Sequence, residues 1–145
     1  MLQQLKHKLE SEDICKANFG IEREGLRVTP NGHLALTPHP EAFGDKQSHP
    51  FITTDFSESQ IEMITPTFST VEEAYQFLCA LYQLTVSELK DEYLWPQSMP
   101  CMIQSDQEIP IAIFSDNLEG MAAMNYRQHL LKKYGGKRQL ISGLH

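Results

Sequence analysis

Glu22 and Glu24 stand two residues apart in the run Phe19-Gly20-Ile21-Glu22-Arg23-Glu24-Gly25-Leu26-Arg27. Phe19 to Thr29 has the composition of a strand, and alternate residues of a strand point the same way. Both carboxylates therefore share a face with Gly20 and Leu26, while Arg23 and Arg27 fall on the other. Carboxylates side by side repel, and they are costly to desolvate without a cation. Asp55, in Phe51–Phe56, and Glu62, in Gln60–Thr65, lie on two further strand-like runs. If the three runs are neighbours in one antiparallel sheet, four carboxylates converge on one concave face. Hard oxygen ligands at that density suit magnesium or manganese. Two other readings stay open: acids that face solvent or pair with arginine, and a pair of acids that cleaves a glycosidic bond. Four acids exceed what the last chemistry requires.

The elements that must hold these residues follow from periodicity and turn chemistry. Leu2, Leu5 and Leu9 are spaced as one face of a short helix. Pro30-Asn31-Gly32 is a turn signal, with His33–Leu36 as a returning hairpin partner. Residues 39–50 are a loop rich in proline, glycine and polar residues. Ser57-Glu58 is a tight connection between the two later strands, and Pro66 ends the second. Thr70-Val71-Glu72-Glu73 has the form of a capping box. Val71, Ala74, Tyr75, Leu78, Leu81, Tyr82, Thr85 and Leu89 then recur at helical spacing. Trp95–Pro100 is irregular. Asp116, with Glu119 reaching back, is the expected cap of a second long helix that runs to about Tyr134. Lys132 and Lys133 suit its C-terminal end, and Gly135-Gly136 stops it. Gln139–His145 is expected as a last strand, whose backbone edge needs a partner.

The chain has 145 residues, 41% hydrophobic and 21% charged, enough for one domain with a real core. Its formal net charge of -7 argues against a general nucleic-acid binder. Cys15, Cys79 and Cys101 are odd in number and match no zinc spacing, which fits reduced thiols in a cytosol. No run has the length of a membrane span, and the N-terminus lacks the apolar core of a signal peptide. His33, His39 and His49 lie in or near turns and are expected to be solvated. His129 falls on a polar helix face. Cys101 has no nucleophilic partner pattern and is expected to be structural.

Five motifs occur in order: FGIEREGLR, FITTDFSESQIEMITP, WPQSMPC, YRQHLLKKYG and LISGLH. From about Asn18 to His145 the chain resembles the N-terminal part of bacterial glutamate–cysteine ligase (gamma-glutamylcysteine synthetase). It is similar too to the first domain of the fused, bifunctional glutathione biosynthesis protein. The resemblance implies an α+β fold, a curved antiparallel sheet with flanking helices like the catalytic domain of glutamine synthetase. It implies ATP-dependent joining of the side-chain carboxylate of L-glutamate to the amine of L-cysteine through an acyl phosphate. By motif position, Glu22, Glu24, Asp55, Glu62 and His145 match metal ligands for magnesium or manganese. His145 also matches an active-site histidine. Phe56, Tyr126, Leu130 and Gln139 match a cysteine pocket. Arg127, next to Tyr126, is a candidate catalytic group through its fork of donors.

Members of this family are much longer than 145 residues. Residues 1–145 are therefore expected to be an incomplete catalytic domain, inactive alone, whose partner is the missing C-terminal part of the same protein. Two alternatives are a non-catalytic metal- or substrate-binding remnant and a related ATP-dependent carboxylate–amine ligase with another acceptor.

Overall fold

A computed structural model describes residues 1–11 and 16–145. The fold is α+β, around an open four-stranded antiparallel sheet in the order β2-β3-β1-β4. Its strands are β1 (Glu22–Val28), β2 (Ile52–Thr54), β3 (Gln60–Ile64) and β4 (Tyr93–Leu94). The helices are α1 (Leu2–Ser11), α2 (Val71–Glu88), α3 (Leu118–Tyr134) and the single turn α4 (Gly136–Gln139). Cys15 lies outside the described residues.

The sheet has two unlike faces, set by the period of two. Ile52, Ile61 and Met63 point to one face and join Leu78, Leu81 and Leu89 of the α2 segment, with Phe43 and Leu94, in a first core. Thr70 caps α2 by accepting the N–H of Glu73, as the capping box predicts. Ala74, Leu78, Leu81 and Thr85 form the buried stripe of α2. Val71 and Tyr75, expected on that stripe, are exposed at its margin.

The opposite face changes character along β1. Glu22 and Glu24 precede Leu26 and Val28 at the same parity. Leu26 and Val28 are buried in a second core with Leu34, Phe56, Cys101, Ile109 and Leu140, against which Leu130 and Leu131 of α3 pack. The helix thus covers the apolar half of the face and leaves the acidic half open. The Pro30–Gly32 turn forms as expected, with Val28 bridging Leu34. Leu2 and Leu5 of α1 are exposed rather than packed.

Two expectations are corrected. Asn117, not Asp116, caps α3: its side-chain oxygen accepts the N–H of Gly120 at 2.8 Å. Asparagine and aspartate are near equals as caps, so the choice turns on where the chain enters the helix. Gln139–His145 is not one strand. Gly135, at φ 82°, redirects the chain into α4, which includes Gln139. Only the last residues are extended, and they run antiparallel to β1 through the bridge of Arg23 with Leu144. The edge there does find a partner, though Gln139 does not share it.

Candidate functional site

Register places the carboxylates together. Glu24 lies directly opposite Glu62, and Glu62 opposite Thr53. Directly paired residues of antiparallel strands carry their side chains about 5 Å apart. Asp55 follows β2, its N–H bonded to the carbonyl of Gln60 at 3.2 Å. On the other side of β1, Glu22 and His145 exchange backbone hydrogen bonds of 3.0 and 2.9 Å. The N–H of Gly143 donates to Glu24 Oε2 at 2.8 Å. His145 Nε2 is 3.9 Å from Glu24 Oε1, and its ring lies so close over Gly143 that any Cβ there would strike it. A side chain at Gly143 would displace the exposed His145 ring from its place beside Glu24.

The charges interact strongly. Burial, followed by the negative charges of Asp55, Glu24 and Glu22, pushes the Glu62 carboxyl up from its ordinary 4.5 to about 7. Asp55 is raised by its own burial, against the opposing pull of Arg127. Arg127 reaches in from α3: its Nε donates to the Asp55 carbonyl at 2.6 Å, and its guanidinium stacks on Phe114 at 4.6 Å. Beside it lies a recess of about 360 Å³, lined by Lys46, Thr53, Glu62, Phe114, Gly120 and Arg127 among others.

Half-buried carboxylates facing one another across a strand pair are the donor chemistry of a hard divalent cation. Among the described residues, however, no three His, Cys, Asp or Glu side chains form a group that could hold a metal ion. The acidic face has the right donors in the right neighbourhood but does not enclose an ion.

The proposed cysteine-pocket residues occupy different environments. Phe56 is buried in the second core, and Leu130 packs against it. Tyr126 is 62% exposed. Gln139 is half-buried in α4. None of the four lines the recess beside Arg127. Cys101 is buried in the second core, and burial pushes its thiol up, as expected of a structural cysteine. His39 departs from expectation. It is half-buried, its two ring nitrogens have no partner among the described residues, and burial first, then the charge of Lys46, lowers its pKa to about 4.

Three residues that matter here carry little or no local signal. Lys46 and Phe114 belong to a loop and an irregular segment, and only tertiary contact brings them to the recess. Gln60, at the same parity as Glu62, is fully buried with both amide atoms unpartnered among the described residues. Its place next to Glu62 in a strand was the one available clue.

The fold and this face define a class: an open antiparallel sheet that packs α2 on one face and on the other presents acidic side chains beside the apolar half that α3 covers. Residues 2–145 match the family model described as glutamate-cysteine ligase. The chain is 47% identical to the glutathione biosynthesis bifunctional protein GshAB of Clostridium perfringens, over 100% of its own length and 18% of that protein. It is also 47% identical to a glutamate–cysteine ligase of Clostridium acetobutylicum, covering 100% of this chain and 30% of the relative. The crystal structure of glutamate–cysteine ligase from Francisella tularensis in complex with AMP superposes with a TM-score of 0.83 at 38% identity. That superposition covers 86% of this chain and 25% of the other. The chain belongs to the glutamate–cysteine ligase family, and it spans 18% to 30% of the length of these curated relatives.

Proposed function

We propose that this chain supplies the metal-binding wall of a glutamate–cysteine ligase, which joins L-glutamate to L-cysteine at the expense of ATP. The observation that carries the reading is the direct opposition of Glu24 and Glu62, with Asp55 close enough to help raise Glu62 to about 7. Such an arrangement is unfavourable until a cation arrives. The AMP complex of the Francisella relative supports a nucleotide as co-substrate.

In this reading Glu22 and Glu24 of β1, Glu62 of β3, Asp55 just after β2 and His145 of the segment alongside β1 supply the donors. When bound, magnesium or manganese would neutralise the phosphates of ATP and the charge that develops as the glutamate side chain is phosphorylated. Glu62 would lose its proton as the cation binds, so affinity should rise with pH. Arg127 presents a fixed guanidinium at the rim, suited to a phosphate or carboxylate. The amine of cysteine would attack the carbonyl of the acyl phosphate so formed, giving the amide as the bond to phosphate breaks, inorganic phosphate leaves and the nitrogen loses a proton. Phe56, Tyr126, Leu130 and Gln139 remain the proposed cysteine contacts by motif position. The partner that completes the enclosure is the remainder of the longer polypeptide found in the relatives. The free thiols of Cys79 and Cys101 support a reducing, cytosolic setting.

Titration with Mn2+, followed by electron paramagnetic resonance, tests the wall directly. The chain should bind Mn2+ weakly, and Glu24→Gln and Glu62→Gln should each weaken binding further. Equal affinity in the wild type and both variants would sink the assignment.

A further inference from the structure

Glu58 is a buried carboxylate in the tight connection between β2 and β3, where a glutamate is ordinarily solvated. Its Oε2 accepts the N–H of His39 at 2.8 Å, and its Oε1 accepts the N–H of Ile113 at 2.6 Å. Lys46 adds an ion pair to the same Oε1. Burial alone would raise its pKa, yet the N–H of Ile113, the Lys46 ammonium and the N–H of His39 together hold it below the ordinary value. It is a satisfied buried anion with donors from two other stretches of chain.

The contacts of those donors form a closed circuit. Ile113 precedes Phe114, and one ring takes both cations: Arg127 at 4.6 Å and Lys46 at 5.6 Å. Arg127 Nε then donates to the carbonyl of Asp55, three residues before Glu58. The connection itself is pinned by neighbouring bonds. Ser57 Oγ donates to the Pro110 carbonyl at 2.7 Å, the Glu58 N–H donates to the same carbonyl at 2.8 Å, and Ser59 Oγ donates to Ala35 O. The Ala112 N–H donates to the Phe56 carbonyl at 3.0 Å and Ser115 bonds Gln47, and within this frame the Glu58 carboxylate is the charged group that joins Lys46 and the Ile113 N–H to the turn after Asp55.

We propose that Glu58, through Lys46 and Ile113, is a positioning residue that holds Phe114 and Arg127 against the acidic face. Its significance for ligation rests on the reading of that face given above, whereas the geometry stands without it. The anion fixes the ring from one side, the ring fixes the guanidinium, and the guanidinium reaches Asp55.

The Nε–H of Arg127 reports on this arrangement in the nuclear magnetic resonance spectrum of the 145-residue chain. Its resonance, assigned by its loss in Arg127→Lys, should exchange slowly and carry a ring-current shift from Phe114. Glu58→Gln and Lys46→Met should each speed its exchange roughly tenfold or more and diminish the shift, while backbone amides of β1 and β3 keep their protection. Lys46→Arg should restore both. Native exchange and shift in Glu58→Gln, or in Lys46→Met, would overturn the proposal. If Glu58→Gln fails to fold, the Lys46 pair of variants decides it. Absent Mn2+ binding alongside the expected Arg127 response would overturn the metal reading and leave the positioning role established.

Discussion

Glu62 is a carboxyl displaced far from its ordinary range. Its folded pKa, about 7, lies above its ordinary 4.5, with Asp55, Glu24, Glu22 and His145 as the charged groups that act on it. The folded state therefore binds the extra proton between these values. Its contribution to stability is complete below about pH 4.5 and is lost as pH rises through about 7. Glu62→Gln should consequently raise the melting temperature at pH 8, with a difference that shrinks towards pH 4.5. Thermal melts at both pH values check this, and an equal shift at both would contradict it. Arg27 is the contrasting case. It is fully buried, paired with Glu92, and donates to the carbonyls of Thr37, Pro38 and Glu58 at 2.6, 2.9 and 2.9 Å. Glu92 is only part-buried, so the main loss in Arg27→Met is the donors to these carbonyls, and it should destabilise by about 1–3 kcal/mol in urea unfolding.

At the scale of elements, α3 carries the strongest prediction. It presents Arg127 to the acidic face, yet its apolar residues Leu118, Met121 and Tyr126 are exposed. Few packing contacts hold its first turns, so the cap matters more than in α2. Asn117→Ala should cost about 1 kcal/mol and increase amide exchange over the first turn of α3. Asp116→Ala should leave that turn unchanged, because Asp116 is not the cap. Gly120 adds a second restraint: a Cβ there would collide with the Ser115 carbonyl, which keeps the helix entry close to its preceding loop.

At the scale of the molecule, the sheet separates two cores, and the second depends on chain far from it in sequence. Leu140 is completely buried there beside Leu26 and Phe56. Leu140→Ala should destabilise by about 2–5 kcal/mol, and a far smaller loss would show that this core is loosely held. With the whole wall intact, the chain still spans only 18% to 30% of its curated relatives. Mixed with ATP, L-glutamate, L-cysteine and Mg2+, the 145-residue chain should yield no gamma-glutamylcysteine above background by mass spectrometry. Product formation would show that this segment holds a complete reaction centre.

The sequence by itself determined that Glu22 and Glu24 share a face, because strand parity is a local property. It determined α2 and its Thr70 cap for the same reason: periodicity and capping act within a few residues. The five ordered motifs were sufficient to name the family that the comparisons then showed. Only the tertiary structure decided that Glu24 meets Glu62, because register depends on how whole strands pair. It alone decided that Gln139 lies in a helical turn while His145 returns to β1, since the turn at Gly135 leads into contacts no local pattern reveals. Glu58 was the least legible residue of all. A glutamate between two serines in a turn looks solvated, and its burial follows only from the convergence of Lys46, His39 and Ile113 from distant parts of the chain.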